Sequence, residues 1–179
     1  MYDNRRRPHL KKYLPLMMDV TNRKILLLGG GKASAEKLRT LAQLNLRITA
    51  ISPQFIEEFH SLDWIDFIYR KYQYGDLEGF DIVYCGINDP IEEKKILQEA
   101  KERKVLINFI DQVEDSDFIS ASTLIRENFT LFISTYGKSP GGAKMIREEI
   151  ESKIDLSNLD RQVGVKAKER EMKKKGLSV

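Results

Sequence analysis

Lys24-Ile25-Leu26-Leu27-Leu28-Gly29-Gly30-Gly31-Lys32-Ala33-Ser34-Ala35-Glu36-Lys37 is the stretch on which the fold turns. Its run of branched apolar residues reads as a strand buried on both faces. Three glycines end the strand, and a helix-forming segment over 33–43 follows at once. Strand, glycine turn and helix in that order are what a pyrophosphate-binding turn requires. Gly29 permits a tight exit from the strand, and Gly31 lets the backbone approach a phosphate with no Cβ in the way. The N–H groups at the helix start then face the anion. The third small position of the fingerprint falls on Ser34 rather than Gly or Ala. The same residues also suit a tight strand-to-helix turn that binds no nucleotide.

Outward from this turn, the chain alternates. An apolar lead-in over 14–20 and a polar turn over 21–23 precede it. The helix carries Leu38, Leu41 and Ala42 at helical spacing, and Asn45 suits the left-handed position that ends it. A second strand over 47–51 runs into Ser52-Pro53, and 55–60 is amphipathic enough for a short helix. A third strand over 65–70, a loop over 72–76 and a fourth strand over 81–86 come next. Asp89 caps a helix over 91–103, with Pro90 in its first turn. The fifth strand is 105–109. This order predicts an α/β fold, a Rossmann-like doubly wound parallel sheet. Ligands of such sheets lie beyond the carboxyl ends of the strands at the switch point. The glycine turn, Ser52-Pro53-Gln54, Gly86 to Asp89 and Asn108 to Asp111 all fall on that edge. Asp111 there is either a chemical group or a plain turn residue.

After Asp111 the pattern changes. Short β-type runs are expected at 118–121, 124–126 and 129–134, with a turn at 126–128 between the last two. Thr135 to Gly142 forms a loop that opens a helix, with Ser139 as cap and Pro140 in the first turn. That helix, 143–154, places Met145, Ile146, Ile150 and Ile154 on one face; a second helix follows over 156–175. A hairpin with two helices does not bury its own apolar face, so this part is expected to pair with a second subunit as a homodimer. The chain divides accordingly into a nucleotide-binding domain over 1–112, a dimerisation region over 113–148 and a helical C-terminal region over 149–179.

Of the 179 residues, 41% are apolar and 32% charged, which points to a soluble globular protein. The net charge of +3 is too small to argue for nucleic acid. Positive charge crowds Arg5-Arg6-Arg7 and the last stretch, from Lys166 to Lys175; both read as solvated termini or as contacts for an acidic partner. A single cysteine, Cys85, excludes an intrachain disulfide and suits a buried thiol. The start lacks the apolar core of a signal peptide, and no apolar run reaches membrane-spanning length, so a cytoplasmic protein without membrane partners is expected. Two histidines, His9 and His60, are too few and too scattered for a metal site.

Three motifs in order carry a family resemblance. They are Leu14-Pro15-Leu16 with the triple-glycine turn, Asn108-Phe109-Ile110-Asp111 followed by Asp117-Phe118-Ile119, and Ile133-Ser134-Thr135-Tyr136-Gly137-Lys138-Ser139-Pro140. Over about residues 13–152 the chain resembles the precorrin-2 dehydrogenase module of siroheme synthesis. The resemblance implies oxidation of precorrin-2 to sirohydrochlorin with NAD as hydride acceptor, and in some members insertion of ferrous iron. It implies NAD contacts at Gly31, Lys32 and Ala33 and at Pro53 and Gln54, and an essential aspartate at Asp111. It also implies a nucleotide-binding domain, an intertwined dimerisation region and a helical tail.

The residues add to this. No acid ends the second strand to meet an NAD ribose, and no arginine follows it to clamp an NADP phosphate. NAD is chosen on the resemblance, with Ser52 and Gln54 as ribose partners. Ser134, Thr135, Lys138 and Ser139 are candidate substrate contacts, or simply a capping loop. Arg126, Lys138, Lys144 and Arg147 are candidate partners for substrate carboxylates. Tyr136 stands where the family commonly has glycine, and Ser116 where it commonly has cysteine. The competing expectation is an NAD-binding regulatory module without chemistry; Asp111 and the loop at 134–140 favour the enzyme.

Overall fold

A computed structural model describes residues 11–176; the arginine run at 5–7 and His9 lie outside the described residues. Five parallel strands, β1 (Ile25–Leu28), β2 (Ile48–Ile51), β3 (Ile65–Ile68), β4 (Ile82–Cys85) and β5 (Leu106–Phe109), form one sheet in the order β3-β2-β1-β4-β5. The sheet is the doubly wound one expected. Helix α1 (Lys32–Leu41) joins β1 to β2, and α2 (Pro90–Arg103) joins β4 to β5. The strand order therefore reverses between β1 and β4.

Central β1 is sealed because both of its faces are covered. Ile25 and Leu27 pack with Leu38 and Leu41 of α1, while Leu26 and Leu28 pack with Ile96 and Ala100 of α2. Two caps end as the residues dictate. Asp89 accepts the N–H groups of Ile91 and Glu92 at the start of α2, and Asn45 takes the left-handed conformation (φ 52°) after α1 and its trailing 3-10 turn. Glu99 of α2 is fully buried, yet Tyr72 Oη, Leu77 N and Arg103 Nε all donate to it. Those bonds tie the loop between β3 and β4 to α2; burial first and the Glu99 bond second push the Tyr72 hydroxyl well above the usual phenol range.

Two expectations are corrected. Residues 55–60 form only a 3-10 turn, Glu57–Phe59, because Phe55 and Phe59 turn into an aromatic cluster with Phe67. Residues 118–121 form no strand. Asp117 exchanges bonds with the Ile107 backbone through both its N–H and its carboxylate, Asn108 Nδ2 holds Phe118 O, and the Phe118 ring packs edge-on against Tyr84. Side-chain bonds thus take up the outer edge of β5.

The chain falls into two compact units, residues up to Ile119 and residues from Ser120. In the second, β6 (Ser122–Ile125) and β7 (Thr130–Ile133) form an antiparallel hairpin. Helix α3 (Pro140–Lys153) packs on the hairpin, with Arg147 Nε donating to Ser122 Oγ, and α4 (Leu156–Lys174) follows. The buried apolar residues of this unit, among those described, are Leu124, Ala143 and Leu156. Phe132, Met145, Ile146, Ile154, Leu159 and Val163 are exposed. Among the described residues no helix is long and apolar enough to cross a membrane.

Candidate functional site

The carboxyl edge of the parallel sheet is built from the glycine turn outward. Gly29 has φ +104°, and a Cβ there would lie 2.8 Å from Gly86 O, so only glycine lets β1 exit against β4. A Cβ on Gly30 would lie 2.1 Å from Gln54 O, because the β2 exit closes on the turn and Ile56 N donates to Gly30 O. Gly31 differs from both: a Cβ there would meet nothing within 4 Å. Gly31 is the N-cap of α1, with no side-chain cap and no acid in the first turn. The two inner glycines let the backbone pack, and the third leaves space in front of the helix start, where an anion finds N–H groups and the positive end of the helix dipole.

Ser34 explains the departure at the third fingerprint position. Its side chain is fully buried, and a Cβ on Gly86 would lie 2.3 Å from its Oγ. The position serves close helix-to-strand packing, and the hydroxyl fits only because the strand residue opposite is glycine. The hydroxyl has no hydrogen-bond partner among the described residues.

The other expected cofactor residues lie on the same edge. Lys32 is exposed at the first position of α1 and Ala33 is half-buried. Ser52 is buried, and its hydroxyl donates to Gln54 O at 2.6 Å. It shapes the β2 exit, while Pro53 and Gln54 are exposed there. No carboxylate ends β2.

Asp111 stands exposed in a turn after β5. Ile110 N donates to Cys85 O at 2.8 Å, the last bond joining the turn to β4. Phe109 and Gln112 form an antiparallel bridge. Buried Ser116 closes the turn from within: its Oγ accepts from Phe109 N and donates to Gln112 O. Gln112 Nε2 donates to Glu93 of α2 at 2.6 Å, and Lys11 Nζ reaches the Val113 and Ser116 carbonyls. Because β1, β4 and β5 are adjacent, the glycine turn and the Asp111 turn lie two strand spacings apart, roughly 10 Å. Cys85, at the end of β4, is buried, and burial pushes its thiol up to about 12, which makes it an inert structural thiol.

Sequence reading missed Lys37. It follows Ser34 by three residues and precedes Leu41 by four, on the buried stripe of α1; that spacing was the available signal. Its Nζ lies 5.1 Å from the centre of the Tyr84 ring, and burial pushes its ammonium down to about 8. Gln112 and Lys11 were missed as well, and nothing in their local pattern marks them, since their partners are 19 and more than 100 residues away.

In the second unit the loop at 134–139 is held by its own hydroxyls. Thr135 Oγ1 donates to Ser139 O and accepts from Ser139 N, so Thr135 shapes the loop. Ser134 Oγ accepts from Tyr136 N, and Ser139 Oγ caps α3 by accepting from Gly142 N, which leaves each O–H able to donate outward. Lys138 is exposed. Tyr136 has φ +59°, a conformation that favours glycine. Arg147 is engaged with Ser122 and Glu151, and Lys144 lies 3.7 Å from Glu148. Among the described residues no three His, Cys, Asp or Glu side chains group as metal ligands.

Comparison with known proteins gives the following. The family profile described as "Putative NAD(P)-binding" matches residues 16–122. A siroheme synthase of Zymomonas mobilis is 29% identical over 81% of this chain and 31% of its own length. A siroheme synthase of Photorhabdus laumondii is 28% identical over 93% of this chain and 36% of its own. The chain thus spans about a third of the length of these curated relatives. The solved structure of SirC, precorrin-2 dehydrogenase, superposes with a TM-score of 0.70 at 25% identity, covering 82% of this chain and 73% of that one.

Proposed function

We propose that this chain, which belongs to the NAD(P)-binding family of precorrin-2 dehydrogenases and siroheme synthase N-terminal modules, oxidises precorrin-2 to sirohydrochlorin with NAD. The observation that carries the reading is one edge of one sheet. It presents an open, uncapped helix start behind Gly31 and, two strands away, an exposed carboxylate on a braced turn.

The residues fit the cofactor, since a Cβ-free cradle at Gly31 faces the start of α1. Gly31, Lys32 and Ala33 would hold the pyrophosphate, and Pro53 and Gln54 the adenosine ribose. Bound NAD supplies a hydride acceptor. Precorrin-2 loses two hydrogens in the reaction, one with its electron pair and the other as a proton. Asp111, exposed on this edge, accepts that proton and its carboxylate becomes neutral. Ser134, Lys138 and Ser139 bind the substrate's carboxylates and polar edges, and Thr135 shapes their loop. The chain works as a homodimer, because the exposed apolar residues of α3 and α4 need a partner that the hairpin unit does not supply. We place it in the cytoplasm.

An anaerobic assay with precorrin-2 and NAD, following NADH and sirohydrochlorin, tests the reading. Asp111→Asn and Asp111→Ala are expected to lower kcat about 10²-fold or more, with NAD affinity unchanged. A folded, NAD-binding chain without turnover would leave only a nucleotide-binding module.

A further inference from the structure

We infer that Gln112 and Glu93 are a positioning pair for Asp111, acting through one hydrogen bond that fixes the Asp111 turn against the start of α2. The inference rests on the reading of Asp111 given above. The turn follows an edge strand, so no neighbouring strand holds its outer side. Phe109 N donates to Ser116 Oγ, which donates to Gln112 O, so these bonds close the turn on the end of β5 but do not hold it against α2. After the Ile110 N to Cys85 O bond, two side chains tether the turn from outside. Lys11 belongs to an irregular lead-in that is part of no helix or strand. Glu93 belongs to the first turn of α2, where its own N–H is bonded to Asp89 O. Helix α2 starts directly after the β4 exit, so a tether to Glu93 registers Asp111 to the switch point itself. The 2.6 Å bond runs from a neutral amide to a carboxylate acceptor, the stronger class of hydrogen bond. Gln112 is adjacent in sequence to Asp111, so a shift of its amide is passed to the carboxylate one residue away.

The test uses the full chain, with precorrin-2 and NAD, and four variants. Gln112→Ala is expected to lower kcat roughly tenfold or more while the Kd for NAD stays within about twofold, because misplacing a reacting group costs rate rather than cofactor binding. Exchanging the partners, Gln112→Glu with Glu93→Gln, restores a donor and an acceptor and recovers most of the rate. Gln112→Glu alone sets two carboxylates together in place of a donor and an acceptor, and its rate at neutral pH is expected to be no higher than that of Gln112→Ala. A role confined to stability would leave kcat of the folded Gln112→Ala chain unchanged. Amide exchange over 110–116 is expected to quicken in Gln112→Ala and to slow again in the exchange variant. A kcat for Gln112→Ala within about twofold of the unaltered chain overturns the inference, as does an exchange variant no better than Gln112→Ala. Asp111→Ala separates the two readings: if it leaves kcat unchanged, the role of Asp111 falls and this inference with it. If it lowers kcat while Gln112→Ala does not, only the positioning pair falls.

Discussion

Leu26, Leu27 and Leu28 of the first unit are wholly sealed from solvent, whereas Met145, Ile146 and Ile154 of the second lie open to it. Both sets are apolar residues at the spacing their element requires. The sheet unit has a helix for each face of its central strands, which buries β1 on both sides, although Leu14, Met17 and Ile91 of the same unit stay exposed. The hairpin unit has two strands and two helices, and its buried apolar residues, among those described, number three. Periodicity marks which face is apolar, but not whether the chain itself or another copy covers it. The cofactor edge is built on the self-sufficient unit, where a rigid frame can hold a carboxylate in place. The loop at 134–139 is built on the unit with few buried apolar residues and is held by its own hydroxyls.

The widest consequence of that contrast concerns assembly. Ile146→Asp together with Ile154→Asp removes two apolar anchors from the second unit. At about 1 kcal/mol for each of the four side chains changed in the proposed homodimer, its dissociation constant would rise roughly a thousandfold. Sedimentation across a concentration series checks this, and NAD affinity, which belongs to the first unit, is expected to hold. An unaltered chain that sediments as a monomer at all concentrations breaks the comparison, because the open face of α3 would then need another explanation.

A smaller effect separates the units by packing. A Cβ on Gly86 would overlap Ser34 Oγ at 2.3 Å and press Ile110 at 3.1 Å, whereas one on Gly141 of α3 meets nothing within 4 Å. Gly86→Ala is expected to cost about 1–3 kcal/mol of unfolding free energy by overpacking. Gly141→Ala is expected to be neutral or to stabilise by up to about 1 kcal/mol. Ser34→Ala removes a buried hydroxyl without a described partner, and in combination with Gly86→Ala it recovers part of the loss. Denaturant midpoints of the two single variants and the double variant give the coupling directly. Strict additivity would show that the contact between helix and strand is not what makes Gly86 necessary.

The same difference explains what could be read before the structure. Central strands were legible because a strand covered on both faces is a continuous apolar run, as in Ile25 to Leu28, whereas edge strand β3 shows only weak alternation. Asp89-Pro90, Ser139-Pro140 and Asn45 were legible because caps are local chemistry. The run at 118–121 was misread because Phe118 and Ile119 look like strand residues. What decides their state is a non-local pair, Asp117 with Ile107 and Phe118 with Tyr84. Of the edge that carries the candidate site, the sequence shows the groups that would touch a ligand. It hides those that hold them, because Gln112, Glu93 and Lys11 meet across long separations and carry no motif. Lys37 was hidden for another reason: a lysine on a helix is ordinarily read as solvated, and only the stripe shared with Ser34 and Leu41 says otherwise.

Lys37 also gives the finest measure of how far the sealed core of the first unit extends. Its amine is lowered from 10.5 to about 8 by burial. Below pH 8 the amine is protonated in both the folded and the unfolded chain, and the penalty of burying the charge is fully present. Between pH 8 and 10.5 the unfolded chain binds more protons than the folded one, so stability rises with pH across this window. Above it the amine is neutral in both states and the penalty is gone. The attraction of the Tyr84 ring for the charged form and the partial exposure of the side chain both reduce the effect, to an amplitude on the order of 1 kcal/mol. Lys37→Met keeps the length of the side chain and removes the titration. Denaturant midpoints at the two ends of the window are therefore expected to diverge for the two chains at the acid end and to converge at the alkaline end. Parallel pH profiles would mean that water reaches the face of α1 beside Tyr84 and that the sealed region ends at Leu38.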